Sequence, residues 1–129
     1  MIAIDTNIIV RLLTKDDAKQ YNICRKLFET EEIYIPDTVI LETEWVLRFA
    51  YEFEPIEVCD AFRKLFGLSN VKLSNGYIIA QTIKWHEQGL DFADAFHLAL
   101  SQDVSILKTL DDKFIKKSKD LSKCYVQKP

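Results

Sequence analysis

MIAIDTNIIVRLL, residues 1–13, sets the reading of the whole chain. Three of its first four side chains are large and apolar, Asp5 follows at once, and an apolar run resumes at Ile8. The pattern is a short strand over 1–5 and a helix over about 7–14. Open α/β sheets place their chemistry at the carboxyl tips of strands. An acid at such a tip is therefore a candidate site residue. A helix N-cap is its other reading, but Thr6 or Asn7 could cap equally well, which leaves Asp5 spare.

Further short apolar segments read as strands: IYIP (33–36), VKL (71–73), SILK (105–108) and CYVQ (124–127). Stretches of helical length and period separate them. Asp37 after Pro36 can cap a helix over 38–52, and Pro55 suits the first turn of one over 55–67 that Gly67 ends. Asn75-Gly76 is a turn before a helix over 77–88 closed by Gly89. Phe92 to Gln102 is almost wholly apolar, so that helix is expected to be central. Short strands alternating with helices imply βαβ units and a parallel sheet covered on both faces.

The length of 129 residues fits one domain, 1–129, and the apolar fraction of 48% supplies a core. No apolar run reaches the ~20 residues of a membrane span, and no signal peptide is visible. Cys24, Cys59 and Cys124 are odd in number and form no CxxC pair. That argues against a disulfide framework and a zinc site, and points to reduced, buried thiols in the cytoplasm. Net charge is −3, unevenly spread: residues 108–129 hold seven lysines against three aspartates, which leaves −7 on the rest. A basic end on an acidic body suits local contact with phosphate, although a solvated lysine face gives the same count.

Three further segments carry acids. In VILETEWVL, helical spacing puts Val39, Glu42, Val46 and Phe49 on one stripe, so Glu42 interrupts an apolar face. A buried carboxylate needs a cation, a metal or a shifted pKa. A salt bridge with Arg11 or Arg48 is the alternative, and Glu44 is expected to be solvated. In LDFADAFHLALS, Asp91, Asp94, His97 and Ser101 make a narrow polar stripe on a greasy helix. It is the wet edge of an amphipathic helix or the border of a cavity. His97 reads as a packed neighbour more readily than as a ligand. In ILKTLDDKF, Asp111 or Asp112 lies just past a strand tip, where it is either a site acid or the cap of a helix over 112–119. Thr109 can cap instead or orient an acid.

Nothing competes with these acids: there is no HExxH around His86, no Gly-rich phosphate loop and no serine elbow. Carboxylates gathered within a few Å repel one another unless something positive sits among them. Oxygen-only ligands favour Mg²⁺ or Mn²⁺ over zinc, and such ions activate water and stabilise a leaving oxygen at a phosphodiester.

DTNIIVRLL, PDTVILETEWVL, DFADAFHLA and TLDDKF occur in that order. Together they make the chain resemble the PIN-domain ribonucleases and, within them, the VapC-like toxins of bacterial toxin–antitoxin pairs. The resemblance implies a three-layer α/β/α sandwich, PIN-like and Rossmann-like, with a central parallel sheet of four to five short strands. It implies Asp5, Glu42, Asp94 and Asp111 as catalytic, metal-holding acids. Asn7, Thr109, Asp91 and Thr6 are implied in support. It further implies Mg²⁺ or Mn²⁺, an RNA substrate (tRNA, rRNA or mRNA), a cognate antitoxin and a homodimer. Leu110 stands where the family often has an aromatic, and Asp112 follows, so the fourth acid stays open between Asp111 and Asp112. An inactive PIN-like binding module is the second reading. A haloacid-dehalogenase-type phosphatase is a third, but it would want an acid where this chain has Asn7.

Overall fold

The computed structural model describes residues 1–129 as seven helices and five short strands, in two compact units, 1–74 and 75–129. The first unit runs β1 (Ile2–Ala3), α1 (Thr6–Thr14), α2 (Ala18–Thr30), β2 (Ile33–Ile35), α3 (Asp37–Ala50), α4 (Pro55–Phe66) and β3 (Val71–Leu73). Its strands form a parallel sheet in the order β1-β2-β3, with Ile2 opposite Ile33 and Ile33 opposite Val71. Pairing carries on past β1, because the Ile4 amide donates to the Tyr34 carbonyl at 3.3 Å. Ile33 and Ile35 are fully buried, as are Ile9, Ile40, Leu47, Cys59 and Phe62 on the helices.

Local chemistry explains the helix ends. Asp17 caps α2 by accepting from the Gln20 amide at 3.0 Å. Asp16 beside it holds Arg11 at 3.2 Å and the Tyr51 hydroxyl at 2.8 Å. Glu54 and Glu57 form a reciprocal capping box with Pro55 at the first position of α4. Gly67 does end that helix: a Cβ there would stand 2.9 Å from the Arg63 carbonyl oxygen. Asp37 is not the expected cap. It lies inside the first turn of α3, Pro36 holds the cap position, and no side chain caps that end.

The second unit runs α5 (Gly76–Glu87), α6 (Phe92–Leu100), β4 (Ile106–Lys108), α7 (Asp112–Ser118) and β5 (Tyr125–Gln127). Asn75 caps α5 by accepting from the Tyr77 and Ile78 amides. Gly89 follows α5 at φ +112°, a conformation that L side chains rarely adopt. Trp85, Leu90, Ala95, Leu98, Ala99, Phe114 and Cys124 form the core. β4 and β5 pair in parallel, Ile106 opposite Tyr125.

All five expected strands are therefore present, each parallel to its partners, in a mixed α/β fold. They hydrogen-bond as sets of three and two rather than as one central sheet. Strands of two or three residues carry only one or two ladder bonds per edge, so strand count does not dictate continuity. No helix is long and apolar enough to cross a membrane.

Candidate active site

In the first unit the acids follow strand ends. β1 leads through Ile4 to Asp5, which occupies the cap position of α1 with φ −103° and makes no side-chain cap bond. Its carboxylate is exposed and spends nothing on the helix it precedes. Thr6 is buried at the start of α1 and donates its hydroxyl to Glu42 Oε1 on α3. That bond ties the segment beside Asp5 to the helix carrying Glu42. Asn7 is exposed in the same first turn.

The expected burial pattern of α3 is reversed. Glu42 is exposed, and Phe49 on its stripe is 58% exposed. The buried face is Ile40, Thr43, Glu44 and Leu47. Glu44, expected to be solvated, is 1% exposed, with Oε2 2.9 Å from Arg48 Nε and Oε1 accepting from Arg48 Nη2 at 3.2 Å. Arg48 also lies over the Phe49 ring at 4.6 Å. Arg11 and Arg48, the alternative partners for Glu42, are engaged by Asp16 and Glu44. The helix is apolar nearly all round, so two stripes compete. The ion pair lets the stripe holding Glu44 turn inward.

Asp37 follows the end of β2 as Asp5 follows that of β1. Its Oδ1 is buried and takes no hydrogen bond. Sequence reasoning gave this carboxylate to capping. The signal for another role was Pro36, which already occupies the cap position.

In the second unit Asp91 caps α6, its Oδ2 accepting from the Asp94 amide at 3.3 Å. Asp94 stands in the first turn, half-buried. Asp111 caps α7, its Oδ1 accepting from Lys113 N at 2.9 Å and Phe114 N at 3.2 Å. Thr109 orients it, since Oγ1 accepts from the Asp111 amide at 3.1 Å. Asp112 is exposed and paired to Lys128 at 2.7 Å. The expected polar stripe is present: Asp91 and His97 are exposed, and Ser101 donates to the His97 carbonyl. His86 is a core residue, with Nδ1 2.8 Å from the Leu90 carbonyl and its ring edge-on to Phe92.

The electrostatic result centres on Asp94. Burial first, then the negative charges of Asp91 and Asp111, hold its carboxyl above the ordinary carboxylate range, while His97 pulls the other way. Asp94 thus feels two other acids of this unit. No group of three or more His, Cys, Asp or Glu side chains is arranged to hold a metal ion. Asp91 and Asp111 aim an oxygen each at helix amides rather than at a common centre. The donor set still fits a hard divalent cation in kind: it is all carboxylate oxygen, and a positive charge would relieve the repulsion on Asp94.

Comparison with curated proteins gives no match. The family model for the PIN domain matches residues 2–120, across both units. PIN domains are generally metal-dependent nucleases, a class of hydrolases. With a match over nearly its whole length, this chain belongs to the PIN-domain family.

Proposed function

We propose that the chain is one PIN domain over 1–129 acting as a Mg²⁺- or Mn²⁺-dependent endoribonuclease, the VapC-like toxin of a toxin–antitoxin pair. Its acids are Asp5, Glu42, Asp94 and Asp111. The observation that carries this reading is Asp94, an acid whose carboxyl is held above the ordinary range by burial and by two neighbouring carboxylates, in a chain of a nuclease family. A divalent ion, when bound, lowers the pKa of a water and stabilises the leaving oxygen of a phosphodiester. The protein's part is to hold acids in place. Thr6 fixes the Glu42 rotamer through its hydroxyl, Thr109 fixes Asp111 through its amide, and Asp91 holds the start of α6 so that Asp94 keeps its position. Asp111 is preferred to Asp112 as the fourth acid, because Lys128 pairs with Asp112 while Asp111 spends only Oδ1 on the cap of α7.

The partners of this reading are an RNA substrate, a cognate antitoxin and a second copy of the chain, in the cytoplasm. Support for protein partners comes from Trp45 and Phe49, adjacent on α3 with ring centroids 4.9 Å apart and each more than half exposed.

The test is cleavage of varied RNAs by antitoxin-free protein with Mn²⁺ and with EDTA, beside Asp5→Asn. Cleavage with Mn²⁺, its loss in EDTA, and a fall of about a thousandfold in the variant are expected, since several kcal/mol of barrier are at stake. A wild-type protein inert toward every RNA would make the chain a binding module.

A further inference from the structure

Seven lysines follow residue 107, and the structure divides them. Lys128 pairs with Asp112, Lys117 donates to the Gly89 carbonyl at 3.1 Å, and Lys108 donates to the Lys128 carbonyl at 3.0 Å. Lys113 lies in the first turn of α7, and the side chains of Lys116, Lys119 and Lys123 form no ion pair and donate no hydrogen bond. These three line one concavity of about 580 Å³ at the end of α7, in company with Tyr125. A single carboxylate, Asp120, stands among them. None of Asp91, Asp94 and Asp111 borders it.

The walls are fixed by the fold. Ser122 accepts from Gln102 Nε2 at 2.7 Å and from the Cys124 amide at 2.9 Å. Cys124 is 2% exposed and anchored in the core beside Phe114. Tyr125, one residue on in β5, is held through its backbone by Ser105 at 2.9 Å, while 67% of it is open to solvent. A row of lysines on a helix end would be ordinary, since cations suit a helix C-terminus. A concavity that joins three uncommitted lysines to an exposed aromatic ring on an anchored backbone is a different object. Lysines hold backbone phosphates, and an aromatic face stacks an unpaired base whatever its identity. The chain as a whole carries −3, so this is a positive recess on an acidic protein.

We propose that the recess bounded by Lys116, Lys119, Lys123 and Tyr125 is a second RNA contact, which grips single-stranded backbone and stacks one base away from the acids of α6 and α7. The proposal rests on the ribonuclease reading for its choice of RNA over an acidic peptide.

The experiment measures binding of a short fluorescent single-stranded RNA by anisotropy, in EDTA, over a range of salt. In the triple variant K116Q/K119Q/K123Q, affinity at low salt is expected to fall at least about tenfold. The salt slope should become shallower by about 2, three phosphates at about 0.7 each. Tyr125→Ala should lose roughly fivefold or more, and Tyr125→Phe should keep its affinity, because stacking needs the ring and not the hydroxyl. Unchanged affinity and slope in the triple variant would overturn the proposal. So would a wild-type protein that binds a poly-glutamate peptide through these lysines and no RNA. Recess-dependent RNA binding without cleavage in Mn²⁺ would sink the nuclease reading and keep the recess. Cleavage with recess-independent binding would do the reverse.

Discussion

The two units treat their acids differently. In the first, three acids have partners: Glu44 is buried against Arg48, Asp16 is met by Arg11 and Tyr51, and Glu42 takes a hydroxyl from Thr6. In the second, Asp94 has acids for neighbours, and only His97 offsets them. An acid paired to a cation, as Glu44 and Asp16 are, serves the scaffold. An acid left among its own kind stays poised for a cation. Burial alone does not separate the two, since Glu44 is the more buried yet has a cation beside it.

Breaking the paired side should cost most. Glu44→Ala removes the buried carboxylate paired with Arg48, leaves a cavity and is expected to lose about 3 kcal/mol in urea denaturation, the lower end for a broken buried pair because Arg48 is partly solvated. A loss near zero would mean that the pair is no scaffold. Thr6→Val sharpens the comparison at smaller scale. Removing one hydrogen bond should lower stability by about 1 kcal/mol. Cleavage should fall about tenfold through a loosened Glu42, an effect that Glu44→Ala should not share at temperatures where it stays folded.

The smallest effect is the most telling. The folded Asp94 carboxyl is raised, so the fold favours its protonated form. The Asp94 contribution to metal-free stability is therefore fully present below the unfolded pKa and is lost as pH rises through the raised folded pKa. Asp94→Asn should remove that decline and match or exceed the wild type in melting temperature at neutral pH, while cleavage is lost. A melting temperature well below wild type would show that the carboxylate stabilises the fold, and the contrast between the units would collapse. Asp16 supplies the opposite sign. The Tyr51 hydroxyl, then Thr14, hold its carboxyl low, so its contribution is present at neutral pH and fades as pH falls through the folded value.

Much of this was legible in the sequence. The strand at 71–73 and the helix ends at Gly67 and Gly89 follow from local chemistry, which acts over a few residues. The Asp91–Asp94–His97 stripe was readable because the rest of that helix is apolar. The facing of α3 was not. Apolar residues occupy Val39, Ile40, Leu41, Trp45, Val46, Leu47 and Phe49, so periodicity ties between two faces. Partners such as Arg48 for Glu44 and Thr6 for Glu42 break the tie, and those depend on folding. The division of the strands into two sheets was hidden for a related reason: residues that short declare a strand but not its neighbour. Tyr125 read only as part of a strand, because exposure of one face is a tertiary fact.

Asp91 and Asp111 each begin a helix by accepting backbone amides. A side chain bound in that way has surrendered its rotational freedom during folding. On the proposed reading, an incoming cation would meet groups already immobilised, and association would lose less to ordering than with free surface carboxylates. The same economy makes the two helix starts sensors of occupancy: a ligand that draws those oxygens away from the amides would loosen the first turns of α6 and α7, and faster hydrogen exchange at the amides of Asp94, Lys113 and Phe114 would report it.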